Sequence, residues 1–181
     1  MKNIGRAAVA ALLVIGGTAT AALAADQIVG GAPMYANKNI VQNAVRSKDH
    51  TTLVALVKQA GLVETLEGPG PFTVFAPTNL AFTKLSPETV AKVTGDNALL
   101  IKVLTYHVIA GRITTADIAQ KIKDGGGKAM LKTVEGDDLI AETDGDDIVL
   151  IDDHGDRSKV TVRDVLQSNG IIDVVDGVLV P

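Results

Sequence analysis

The apolar positions of this chain change period partway along it. From Asn37 to about Ile122 they recur mostly at helical spacing. Asn37 or Asn39 can cap a helix bearing Ile40, Val41, Ala44 and Val45. Asp49 is expected to cap the next, where Leu53, Val54, Leu56, Val57 and Ala60 form one stripe and Gly61 takes the left-handed end position. Leu62–Leu66 is a short amphipathic turn. Pro71 then opens Phe72-Thr73-Val74-Phe75, an aromatic and β-branched run suited to a buried strand, which Ala76-Pro77 should end. Thr78 can cap a helix starting with Leu80, Ala81 and Phe82, and Ser86-Pro87-Glu88 marks another helix start. Asp96 caps Asn97–Tyr106, which is apolar on most sides and so central to the core. Thr114 and Asp117 form a capping box for Thr115–Ile122.

Past Gly125-Gly126-Gly127 the runs are short and β-branched: Met130–Val134, Leu139–Thr143, Ile148–Ile151, Val160–Val162, Ile171–Val175 and Val178–Val180. Turn clusters rich in Asp and Gly separate several of them. Helices followed by a strand meander, without an internal repeat, predict one α+β domain over residues 37–181 rather than a doubly wound parallel sheet. Residues 25–36 are expected to be a flexible leader.

Ahead of them, Lys2 and Arg6 precede an apolar stretch from Ala7 to Ala22, and Ala22-Leu23-Ala24 has the form of a cleavage site. Residues 1–24 are therefore expected to be a signal peptide, with the mature protein periplasmic or secreted after cleavage near Ala24 and not membrane-spanning. Cleavage leaves 157 of 181 residues, enough for a core without disulfides, which zero cysteines preclude. Loss of Lys2 and Arg6 takes the formal charge from −4 to −6. An acidic chain with few aromatics argues against nucleic acid as a partner. A monomer is expected.

Three segments resemble the fasciclin family. Thr52–Leu85 contains GPFTVFAPTNLAF, Leu104–Gly111 reads LTYHVIAG, and Ser168–Pro181 reads SNGIIDVVDGVLVP. The resemblance spans Asn37–Pro181 and implies a wedge-like β-sandwich of short strands with helices packed on one side. It also implies a non-enzymatic module for cell adhesion or for contact with a cell surface, envelope or extracellular matrix, its partner a protein or envelope component. By the same resemblance Tyr106, His107, Val108 and Ile109 are the candidate partner-binding residues, although Tyr106 and His107 stand at a helix-to-strand junction, where such side chains usually satisfy local polar groups and a structural role is the favoured reading. Many family members carry histidine where this chain has Asp173, which should accept hydrogen bonds or face water.

Candidate chemistry is sparse. Residues 135–156 hold ten acids, and they motivate an alternative: a periplasmic small-molecule or divalent-ion binder using that hairpin segment. The EF-hand spacing is absent, and Asp next to Gly suits turns by itself, so no metal ligands are assigned. Catalytic motifs and cofactor loops are also absent, and neither a catalytic residue nor a cofactor is expected. A hydrolase would need Ser47, Ser86, Ser158 or Ser168 beside one of the three histidines, His50, His107 and His154. Thr78 and Asn79 are explained by helix capping. With no tryptophan and two tyrosines, the chain lacks the platforms a glycan site commonly uses.

Overall fold

A computed structural model describes residues 26–181, and the expected signal peptide and its cleavage site lie outside them. The stretch expected to be a loose leader is instead an antiparallel hairpin of β1 (Gln27–Val29) and β2 (Ala32–Met34). Gly30 and Gly31 both take positive φ, which a tight two-residue turn requires. Val29, Ala32 and Met34 are buried, so this hairpin is part of the core.

Helices α1 (Ile40–Ala44), α2 (Thr51–Gln59), α3 (Val63–Glu67), α4 (Asn79–Thr83), α5 (Pro87–Gly95) and α6 (Asn97–Tyr106) follow the expected periodicity. Asn39, Thr78, Ser86 and Asp96 cap α1, α4, α5 and α6 as their side chains predict. Asp49 does not cap α2. It lies within a 3-10 turn, Lys48–His50, and the α2 N-terminus is capped from a distance by Asn79. Asn79 Oδ1 accepts the Thr52 N–H at 2.9 Å and the Thr51 hydroxyl at 3.2 Å, while Nδ2 donates to the Lys48 carbonyl at 2.8 Å. The remaining helix, α7 (Thr115–Asp124), starts at the expected capping box of Thr114 and Asp117.

Strands β3 (Phe72–Pro77), β4 (Val108–Ala110), β5 (Lys128–Lys132), β6 (Asp138–Asp144), β7 (Asp147–Ile151), β8 (Arg157–Gln167) and β9 (Gly170–Val175) form one sheet in the order β4-β3-β9-β8-β7-β6-β5. Only β3 and β9 are parallel, which brings the first strong strand of the sequence beside the last. β8 belongs to both halves of the sandwich. Arg157–Lys159 pair with β7, whereas residues 160–167 pair with β9 through two register irregularities that bend the strand. The Val134 N–H donates to the Val108 carbonyl at 2.7 Å and joins the far ends of the sheet.

Alternation along the shared strands sorts the core into two faces. Val74 and Ala76 of β3, with Ile172 and Val174 of β9, pack against α1–α6. Phe75 and Val175 face inward between the sheet halves, together with Leu139, Leu150 and the α7 residues Ile118 and Ile122. This is the expected α+β sandwich, with six helices on one side and α7 in the other core. Val178–Val180, expected as a strand, make no ladder. Leu179 and Val180 donate their N–H groups to side chains instead.

Candidate functional site

Tyr106, His107, Val108 and Ile109 stand where α6 passes into β4, and all four are buried. The expectation that they form a partner-contact surface is corrected accordingly. The cause is local: α6 is apolar on most sides, so its last turn is enclosed, and β4 is covered on both faces. The Tyr106 hydroxyl donates to the Asp138 carbonyl at 3.2 Å, reaching across to β6. Burial, with Asp153, Asp152 and Asp137 nearby, pushes the Tyr106 phenol above its ordinary range, so it stays protonated. His107 Nδ1 lies 2.8 Å from the Val103 carbonyl, and Nε2 accepts the Leu179 N–H at 3.0 Å. That pairing assigns the proton to Nδ1 and makes the ring neutral. Desolvation holds its pKa down at about 4, with the Val103 bond and the Asp152 charge opposing.

Of the four serines weighed for a triad, only Ser47 is hydrogen-bonded to a histidine, with its Oγ 2.9 Å from His50 Nδ1. Both side chains are buried, and His50 Nε2 has no hydrogen-bond partner. An acid on the far nitrogen and access for a substrate, which nucleophilic catalysis needs, are missing from this pair. Ser86 caps α5, and the Ser158 hydroxyl bridges the backbone of Gly177. His154, the third histidine, has Nδ1 3.1 Å from the Val180 carbonyl.

The acids of residues 135–156 do not converge. Among the described residues no group of three or more His, Cys, Asp or Glu side chains is arranged to hold a metal ion. Glu135 and Asp137 face Lys102, Glu142 faces Lys128 and Arg157, and Asp147 faces Lys159 and Arg163. The buried Asp152 organises its own turn, with Oδ1 accepting from His154 and Asp156 and Oδ2 from Val180. Partners of opposite charge and backbone donors thus account for the carboxylates of Glu135, Asp137, Glu142, Asp147 and Asp152.

One polar cluster was not legible in the sequence. Asp173 is fully buried on β9, and its Oδ1 accepts the Asp164 N–H at 2.7 Å. It therefore takes the hydrogen bond expected of it but does not face water, and Oδ2 has no partner. Burial pushes its pKa up to about 7, the Asp164 N–H and Arg163 oppose the rise, and the Asp164 charge adds to it. Asp164 has φ of 53°, at the β8 irregularity, and its carboxylate accepts from the Thr115 N–H and hydroxyl at the start of α7. Two acids in β-branched surroundings carry no signal for such a link. Asn169 is another: its Oδ1 accepts from Ile40, and its Nδ2 donates to Leu66 and Gly68, clamping α1 and α3 to the closing segment.

Comparison with known proteins agrees with this architecture. The sequence profile of the Fasciclin domain matches residues 48–181. Protein sll1735 of Synechocystis is 38% identical over 141 residues, covering 78% of this chain and 96% of that one. Immunogenic protein MPB70 of Mycobacterium bovis is 31% identical over 143 residues, covering 76% and 66% respectively. Transforming growth factor-beta-induced protein ig-h3 of Sus scrofa is 31% identical over 144 residues, 79% of this chain but 20% of its own. Among solved structures, a FAS1 domain pair from the insect cell adhesion molecule fasciclin I aligns with a TM-score of 0.67. It covers 80% of this chain and 51% of that one at 18% identity, a likeness that concerns fold alone. The profile match, the curated relatives and the shared sandwich together place this chain in the fasciclin domain family.

Proposed function

We propose that this protein is an exported, non-enzymatic binding module that mediates adhesion or contact with a cell-surface, envelope or matrix partner. The observation that carries the reading is the internal commitment of its reactive side chains. All three histidines are hydrogen-bonded within the protein, and the one serine–histidine pair is sealed in the core. Family membership supports the same reading, since fasciclin I is described as an insect cell adhesion molecule. A relative over a shorter stretch, 53% identical across 57 residues, is the cell surface glycolipoprotein MPB83 of Mycobacterium bovis.

Within this proposal the tyrosine–histidine segment acts from inside. Tyr106 and His107 hold β6 and the final residues in place, and partners meet the exposed surface around them. The divalent-ion alternative draws no support from acids that do not converge and of which five pair with lysine or arginine.

Two experiments test the proposal. N-terminal sequencing of the protein from cell fractions should find it outside the cytoplasm, beginning at Ala25. Beads coated with it should retain envelope fragments more strongly than beads coated with an unrelated protein of equal size and charge. Equal retention on both kinds of bead would reject the binding role.

A further inference from the structure

Helix α2 separates two cavities, which share Leu104 and His107 in their linings. The smaller, about 80 Å³, lies on the Leu53 and Val57 side of α2 beneath the β1–β2 hairpin. The larger, about 210 Å³, lies on the Thr52 and Leu56 side, walled by α4, α5, α6 and the final residues and open to solvent at one side. Its wall is almost wholly hydrocarbon, with the buried Val93, Leu100, Val103 and Val178 at its heart and the exposed Val90 at its rim.

Most of the polar side chains around this larger cavity are already engaged elsewhere. Asn79 is held by Thr51, Thr52 and Lys48, and both His107 nitrogens are occupied. The Thr83 and Thr94 hydroxyls donate back to the Leu80 and Val90 carbonyls of their own helices. A water molecule needs two or more polar partners to settle in such a space, and among the lining side chains only the Thr52 hydroxyl is left uncommitted. An engineered cavity of about 150 Å³ with a comparable aliphatic lining stays dry and binds benzene. The volume here exceeds that size, while the smaller cavity falls short of it.

We infer that the space between α2, α4, α5 and α6 is a binding site for a compact hydrocarbon group, a benzene-sized ring or a short alkyl chain. Recognition is by dispersion contact and water exclusion, without a hydrogen bond to the ligand. This site is independent of the adhesion reading, because its occupant is a small molecule and its walls are core side chains.

Titrating the methyl-labelled protein with benzene tests the inference by nuclear magnetic resonance. Methyl resonances of Val93, Leu100 and Val178 should shift and saturate, while those of Ile118 and Leu139 in the opposite core stay in place. Val93→Phe fills the cavity and should abolish the shifts. Val90→Trp, a change at an exposed position, should plug the mouth and weaken them if the first variant fails to fold. Absence of saturable shifts in the unsubstituted protein would overturn the inference. So would saturation at Leu53 and Val57 alone, which would place the ligand in the smaller cavity.

Discussion

Nε2 of His107 accepts the backbone N–H of Leu179 at 3.0 Å, a contact between residues 72 positions apart. The other ring nitrogen is engaged by Val103, so one imidazole joins the end of α6 to the last residues of the chain. His107→Ala leaves the Leu179 N–H buried without a partner and opens space beside both cavities. A loss of roughly 2–5 kcal/mol is expected. Tyr106→Phe removes a single hydrogen bond and should cost about 1 kcal/mol. Urea denaturation of the two variants tests this ranking, and equal losses would contradict it.

Asp173 and His107 impose opposite pH dependences. The Asp173 pKa, raised to about 7, lets the folded state keep a proton that the unfolded chain has released. Its contribution is complete below the ordinary carboxylate pKa and is lost as pH rises through about 7. His107, held at about 4, and His50, also lowered by burial, contribute fully above the ordinary imidazole pKa. That contribution is lost as pH falls through about 4 for His107. Asp173→Asn should therefore gain roughly 1–3 kcal/mol near pH 8, where the carboxylate would otherwise be charged and half-partnered. It should also leave stability rising steadily with pH across the acid range. Denaturation midpoints at several pH values check this, and a profile parallel to that of the unsubstituted protein would refute it.

Gly170 opens β9 where it runs against β3. A Cβ there would stand 2.1 Å from the Phe72 carbonyl oxygen, and the two strands are held by their ladder. Gly170→Ala should destabilise by about 1–3 kcal/mol or more. Gly95, at the end of α5, has open space around its Cβ direction. Gly95→Ala should be neutral or stabilising by up to about 1 kcal/mol. Thermal melting of the pair provides the comparison.

Asn79 should behave as a helix cap despite lying 27 residues from the N–H group it serves. Asn79→Ala is expected to cost roughly 0.5–2 kcal/mol, as losing an ordinary cap does. Asp49→Ala, at the position that sequence spacing favours for capping, should change stability little. Hydrogen exchange at the first turn of α2 would show whether the loss is local.

The helical half of the chain was legible in detail because its signals are local. A cap such as Ser86 or Asp96 bonds to amides two or three residues away, and the apolar stripe of α2 repeats within one element. The hairpin Gln27–Met34 escaped notice because its strands are three residues each, too short for alternation to register. The end of the chain misled for a different reason. Val178–Val180 has strand composition, yet its N–H groups find His107 and Asp152 before any neighbouring strand. The same holds for the candidate site: the composition of Tyr106–Ile109 is a local signal, but whether these residues face a partner or the core depends on what packs over α6.

Sequence alone was enough to establish the fasciclin resemblance, the α+β class, most helix starts and six of the apolar runs that became strands. Those follow from propensity, periodicity and capping, which act over a few residues. Tertiary structure decided the parallel pairing of β3 with β9, the inward placement of Tyr106–Ile109, the Asp164–Asp173 contact and the hydrocarbon-lined space between α2, α4, α5 and α6. Each of these joins residues far apart in the chain, and their energies depend on burial and geometry that arise only once the two cores have formed.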